Sequence, residues 1–292
     1  MKMASKRSAL LVAVVVIEAF AVVEHPFAES FMELVKQGTG RQVVAAIEAG
    51  ARVEKKDDKG RTPLMSAAGN NQNLEVISIL LRAGARIDDR NNDGVTPLMY
   101  AAGKNAHPEV VCALLRAGAM LNDQNYEGVT ALMYAAGDNA NTDVISLLLK
   151  EGAKVHEKDF NGQTALMHAA EGSPNPEIIS VLLRAGAKID DRDNCGQTAL
   201  MIAAWNNTNP DIIRLLLRGG ANVNQGSNEG RTPLMFAAAF GKNPDVIPIL
   251  LRAGANRSMR SSEGKTAFDY AQENAAVKSS PQYLRLEPAP YF

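Results

Sequence analysis

Short apolar blocks with helical spacing alternate along this chain with polar stretches that end in glycine. In residues 96–118, Leu98, Ala101 and Ala102 share one helix face, and Val110, Val111, Leu114 and Leu115 share another. Thr96 then reads as an N-cap and Pro97 as the first residue of a short helix, where its missing N–H costs nothing. A second helix start recurs as Asn-Pro-acid, in Asn175-Pro176-Glu177, Asn209-Pro210-Asp211 and Asn243-Pro244-Asp245. Cap, proline and an acid at the positive end of the helix dipole stand there in order. The second helix ends where Gly84, Gly118, Gly152, Gly186, Gly220 and Gly254 supply left-handed residues. Polar segments such as ARIDDRNNDG follow and close in Asp-Gly, Glu-Gly or Asn-Gly, which predicts an extended finger with a tight turn.

The blocks repeat. Gly60, Gly94, Gly128, Gly162, Gly196, Gly230 and Gly264 lie 34 residues apart throughout, so the chain is one array of units that cannot bury their apolar faces alone. Six full repeats span 60–263, an N-terminal capping unit occupies 29–59, a shortened unit caps 264–286, and 287–292 is expected to be a mobile tail. At about 10 Å per unit the array should extend on the order of 80 Å.

Residues 1–21 have another character. Lys2, Lys6 and Arg7 precede an apolar run from Ala9 to Ile17, and Ala19-Phe20-Ala21 offers small residues at a cleavage point, the layout of an export signal. The run is shorter than the roughly 20 residues a membrane span needs. Export to a bacterial periplasm or to the medium is expected, with an uncleaved N-terminal anchor on a cytoplasmic protein as the alternative. A glycan at either sequon, Asn206-Asn207-Thr208 or Asn256-Arg257-Ser258, requires a eukaryotic secretory route. One on Asn206 would obstruct the binding surface described below, which favours a bacterial source. Cys112 and Cys195 lie more than two repeats apart, beyond the roughly 7 Å a disulfide allows, so both are expected as free thiols, Cys112 in the core and Cys195 exposed.

A formal net charge of -1 gives no basic footprint for nucleic acid or anionic lipid. His25, His107, His156 and His168 fall in unrelated phases of the repeat and lack metal spacing. The pairs Asp88-Asp89 and Asp190-Asp191 lack the order of a calcium loop and read as solvated turns. With no nucleophile beside a base and no phosphate-binding loop, the sequence predicts a non-enzyme without cofactor, metal or small-molecule substrate.

The phrase TPLM..AA followed by LLLRAGA resembles the ankyrin repeat, and the match runs from about residue 29 to 275. Tetratricopeptide repeats share the 34-residue period but not this pattern. The resemblance implies an all-α repeat solenoid of ankyrin repeats, each a helix-loop-helix plus a β-hairpin finger. Met65, Met99, Met133, Met167, Met201 and Met235 stand where the family usually has His, and the loop between the helices is one residue longer. Asn73, Asn141, Asn175, Asn209 and Asn243 stand where a second His is frequent. The family's His-mediated links between units would then be replaced by Met packing.

The resemblance further implies a concave groove, lined by the first helices and the finger tips, that binds a partner protein. Aromatics are only 5% of the chain, so their placement is informative. The residue after each Met gives a first row, Tyr100, Tyr134, His168, Ile202 and Phe236; Trp205 and Phe240 form a second, and Tyr126 and Phe160 fall at finger tips. The first row has two readings, partner contact or packing between neighbouring helices. Tyr126, Phe160 and Trp205 resist the packing reading, because their phases are otherwise filled by Asn, Ser, Gly, Glu and Ala. The expected function is a monomeric protein-binding scaffold, with a self-associating structural module as the alternative.

Overall fold

The computed structural model describes residues 26–105, 107–206 and 209–287. The expected export signal at 1–21, and the tail from 288 onward, lie outside the described residues. Among those described, no helix is long and apolar enough to cross a membrane.

The chain alternates inner and outer helices. Inner helices are α1 (Pro26–Gln37), α3 (Pro63–Asn70), α5 (Pro97–Lys104), α7 (Ala131–Asp138), α9 (Ala165–Gly172), α11 (Ala199–Asn206), α13 (Pro233–Phe240) and α15 (Ala267–Ala271). Outer helices are α2 (Gly40–Glu48), α4 (Leu74–Arg82), α6 (Pro108–Arg116), α8 (Thr142–Lys150), α10 (Glu177–Arg184), α12 (Pro210–Arg218), α14 (Val246–Arg252) and α16 (Ala275–Lys278). Each inner helix packs on the next inner helix, and each outer helix up to α14 packs on its outer neighbours, so one continuous core runs the length of the array. Leu98, Ala101, Ala102, Val110, Val111 and Leu114 are wholly or almost wholly buried in it, while Leu115 is partly buried at its edge. Truncating a fully buried residue such as Leu114 to Ala removes about 2–5 kcal/mol in comparable cores.

The caps follow the residue types. Thr62, Thr96, Thr130, Thr164 and Thr232 each accept from the backbone N–H of the Met three residues on. The Met returns the interaction: its Sδ accepts the threonine N–H at 3.4–3.5 Å, as in Met65 and Met99. A thioether is a weak acceptor, yet it completes the reciprocal cap that Glu or Gln usually supplies. The two ends of the array use oxygen instead, Gln42 returning to Thr39 at 2.9 Å and Asp269 to Thr266 at 2.8 Å. In the outer helices, Asn73, Asn141, Asn175, Asn209 and Asn243 accept the N–H two residues on.

Packing of Met is only part of what links the units. Asn71, Asn105 and Asn139, which end inner helices, reach back one repeat. Asn105 Nδ2 donates to the carbonyls of Ala68 and Asn71 at 2.9 and 3.0 Å, and Asn139 does the same to Ala102 and Asn105 at 2.8 and 2.9 Å. These amides are 3% and 4% exposed, so the polar link that the sequence assigned to absent histidines is present, carried by buried asparagines.

The fingers are hairpin-shaped turns without strands. Among the described residues one isolated bridge occurs, Gln124 to Thr130. The physical reason lies in the turn. Asn125 Oδ1 accepts the amides of Glu127 and Val129 at 2.9 and 2.8 Å, and the backbone closes with Gly128 N–H to Asn125 and Asn125 N–H to Val129. Asn91, Asp159 and Asp193 repeat this turn. A side chain that satisfies the amides locally leaves too few backbone pairs for a ladder.

At the C-terminal end, Phe268 lies tilted against Tyr283 with ring centroids 4.9 Å apart, and a 3-10 turn at Tyr283–Leu286 closes the core with Leu286 fully buried. Both cysteines are free, Cys195 exposed and Cys112 half-buried rather than in the core, because the buried face of α6 is made by Val110, Val111 and Leu114.

Candidate binding surface

The residue after Met points along the inner helix toward the finger of its own repeat, nine positions earlier. Tyr100 Oη accepts from Asn91 Nδ2 and Tyr134 Oη from Asn125 Nδ2, each at 3.1 Å. His168 Nε2 meets Asp159 Oδ2 at 3.0 Å. In the capping repeat Tyr270 donates to Ser261 at 2.9 Å. The residue that varies therefore answers a finger residue that varies with it: Tyr with Asn, His with Asp, Tyr with Ser. Burial pushes the Tyr100 and Tyr134 hydroxyls above their ordinary range. For Asp159, burial favours the neutral acid, but bonds from His168 and from the Gln163 and Asn161 amides outweigh it and hold the carboxyl below its usual value.

Two members of this row are placed differently from expectation. Ile202 and Phe236 are 2% and 3% exposed; apolar side chains without a finger partner fold into the inter-helix contact, so neither presents a surface to a partner. Tyr100, Tyr134 and His168 are partly buried braces between helix and finger, with only an edge open to the groove.

Trp205 and Phe240 stand apart. In earlier repeats the phase of Trp205 holds Gly69, Gly103 and Gly137, where an added Cβ would meet Tyr100, Tyr134 or His168 of the next repeat at 3.3–3.6 Å. Glu171 replaces the glycine at the fourth repeat and Trp205 at the fifth, before Ala239 restores a small residue at the sixth. Trp205 stacks on Phe236 at 6.0 Å and lies tilted against Phe240 at 5.3 Å, and Phe236 to Phe240 is 6.5 Å. The result is a ledge of three rings at the ends of α11 and α13, with Phe236 beneath and Trp205 and Phe240 open to solvent by 36% and 43%.

Tyr126 and Phe160 occupy the finger tips and are 62% and 67% exposed. Their N–H groups donate to Asp93 and Glu127 of the preceding finger at 3.0 and 2.9 Å, a bond repeated from finger to finger along the array. In three other fingers the same position is Asn, and its side chain adds a second bond: Asn92 to Asp58, Asn194 to Phe160, Asn228 to Asn194. Tyr126 and Phe160 give up that bond and instead lay a ring over Gly94 and Gly128, whose φ of 80° and 83° and nearness to the rings suit glycine alone.

The sequence reading did not single out two acids on the same rim. Asp138 ends α7 and Glu171 lies next to the end of α9, both exposed, in line with Trp205 and Phe240; their shared place at inner-helix ends was the signal. Among the described residues no group of three or more His, Cys, Asp or Glu is placed to hold a metal ion.

A family model for ankyrin repeats (three copies) matches the chain in overlapping segments, 31–125, 103–193, 132–227, 172–261 and 200–279. Among solved structures, the human ASB11 ankyrin repeat domain is similar, with 28% sequence identity and a TM-score of 0.67, over 79% of this chain and 100% of that one. A search of curated proteins returns no match. Ankyrin repeats are in general non-enzymatic modules for protein–protein interaction. With the period, the caps, the fingers and the family model in agreement over residues 31–279, the chain belongs to the ankyrin-repeat family.

Proposed function

We propose that this chain is a scaffold that holds a partner protein along its concave groove, anchored on Trp205 and Phe240 and touched at the opposite rim by Tyr126 and Phe160. The observation that carries the reading is the exposed ring pair of Trp205 and Phe240, 5.3 Å apart, with Trp205 in a phase that holds Gly69, Gly103 and Gly137 in the first three repeats. Tryptophan and tyrosine dominate interface hot spots, where truncation costs about 2 kcal/mol or more of binding. Tyr100, Tyr134 and His168 serve mainly to fix the fingers, and their open edges complete the groove floor.

The test replaces Trp205 and Phe240 by Ala and compares capture from the native extract with melting. Capture should fall about thirtyfold or more, the equivalent of 2 kcal/mol, and melting should shift only slightly, because both side chains are partly exposed. Unchanged capture overturns the assignment. A second copy of the chain is the competing occupant; light scattering that shows a dimer at tens of micromolar, abolished by the same substitutions, would establish self-association in place of a foreign partner.

Export belongs to the same proposal and rests on the layout of residues 1–21. The mature protein from its native source should begin at Val22 by N-terminal sequencing; an intact Met1 in that material rejects cleavage.

A further inference from the structure

We propose that the outer flank of this array binds a membrane surface rich in anionic phospholipid, through a row of cations at the C-terminal ends of the outer helices. The row is Arg82, Arg116, Lys150, Arg184, Arg218 and Arg252, one per repeat and each in the last turn of its helix. All six are exposed, and among the described residues none takes part in a salt bridge. Equivalent positions of stacked units lie on one line, and five steps of about 8–10 Å make a row of about 40–50 Å. A cation in the last turn is favoured by the helix dipole, but the dipole does not account for the row. The inner helices of the same six repeats have the same dipole, yet Lys104 is the only last-turn cation among them.

The surroundings are as one-sided as the row. The stretches 78–86, 112–120, 146–154, 180–188, 214–222 and 248–256 each run from four residues before a row cation to four after it. Four of them hold two cations, the other two hold one each, and Glu151 is the single acid in all six. Arg86, Lys154 and Arg214 have acid partners, Lys188 has none among the described salt bridges. Just past the row, Asp88 and Asp190 accept the backbone N–H of Met120 and Asn222, both at 3.1 Å. The compensating acids stand at the other end of the outer helices, Glu75, Glu109, Asp143, Glu177, Asp211 and Asp245, each seven residues before a row cation. That separation is about 10 Å along a helix. The whole-chain charge of -1, which gave no basic footprint in the sequence, therefore conceals an array polarised across its width.

The surroundings also select lipid among polyanions. Met120, four residues past Arg116, is 60% exposed amid the cations. An open hollow of about 380 Å³ lies against Arg82, lined by Val44, Ile47, Ile79 and Ala83 with Glu48 at its side. Exposed apolar groups beside cations suit a headgroup layer over acyl chains, to which each Lys or Arg adds attraction within a Debye length. No aromatic residue occurs in the six stretches, so the bases of a single strand would find nothing to stack on. A duplex turns its backbone away within one helical turn of about 34 Å, shorter than the row. The surface is also separate from the ledge: α12 starts at Pro210, five residues after Trp205, and carries Arg218 away from it by eight residues, about 12 Å of helix.

The test is sedimentation of the full-length chain with vesicles of phosphatidylglycerol and phosphatidylcholine in equal parts, and with vesicles of phosphatidylcholine alone. The anionic vesicles should carry down more of the chain than the neutral ones, and about 0.5 M salt should remove the difference. Arg116→Gln with Lys150→Gln and Arg184→Gln should weaken binding to the anionic vesicles about tenfold to a hundredfold. Arg116→Lys with Arg184→Lys should keep it. Lys59→Gln with Lys104→Gln and Lys242→Gln removes the same charge from exposed sites elsewhere and should leave binding within about twofold of the parent, where screening confines the attraction to the row. All variants should melt close to the parent. Residues 1–21 are the same in every variant, so a loss on substituting the row belongs to the row. The emission of Trp205, the only tryptophan in the sequence, should not shift on binding. No preference for anionic vesicles, a row variant that binds as the parent does, or an equal loss in the two triple variants overturns the inference. So does uptake of duplex DNA or polyphosphate by a chain that ignores vesicles, and so does a blue shift of Trp205 that the row variant retains, which would set the ledge against lipid instead.

Discussion

Asp159 shows how much one side chain does in this array. Its Oδ1 holds the turn of the fourth finger and its Oδ2 braces that finger to His168. Its carboxyl titrates lower in the folded chain than in the unfolded one. Its contribution is therefore complete above the unfolded carboxylate range, near pH 3.9 for a free Asp, and is lost as the pH falls through the lower folded value. Asp159→Asn keeps an acceptor for the turn but removes the charge. The variant should be less stable than the parent by about 1.5–3 kcal/mol at pH 7, the range for hydrogen bonds to a charged group, and the gap should close in acid. Urea unfolding at pH 7 and below pH 4 reads this directly; a gap that is constant with pH would show that the charge is irrelevant. Asp57, where bonds from Arg61 outweigh burial, and Asp269, held by the Thr266 amide and hydroxyl, are lowered too, so the variant retains part of the acid sensitivity.

Between elements, the asparagine ladder is the counterpart of this brace. Asn105 is buried, donates to two carbonyls of the preceding repeat and accepts the His107 N–H. Asn105→Ala leaves all three groups without partners in a dry site, at about 1–3 kcal/mol for each unsatisfied group that finds no water. A loss of roughly 2–4 kcal/mol in urea unfolding is expected, large for a polar residue, against a small loss for exposed Asn92. Here lies the limit of legibility in the sequence. The helices, their caps and the terminal glycines each follow from a local rule and are found where residue type places them. The ladder depends on where residue 105 lies relative to residues 68 and 71, a relation set by the superposition of units and not by any local pattern. The first-row residues fail for the same reason: Tyr100 and Phe236 share a phase, but only the fold shows that a polar side chain there is braced to the finger nine residues earlier while an apolar one is buried. Tyr126, Phe160 and Trp205 were legible because each breaks its own repeat, and a departure from period is visible without knowing the packing.

For the whole molecule, the concave side carries a second thread besides the core. Lys56 donates to the Arg90 carbonyl, Arg90 to Gln124, Gln124 to Lys158 and Lys158 to Arg192, always 34 residues on. At the next step Arg192 bonds the Asn228 side chain, and Gly226, which occupies the following place, has nothing to offer Arg260. Under tension applied between the ends, such a thread acts as a row of stitches, and a seam gives way at its missing stitch. Pulled in an optical trap, the array should release its last unit, residues 261–287, at a lower force than any other, as a first short extension of up to about 10 nm for some 27 residues at up to 3.6 Å each. Gly226→Lys should move that event toward the force of the rest. The groove that carries Trp205 and Phe240 would then keep its shape under loads that have already opened the end beside it.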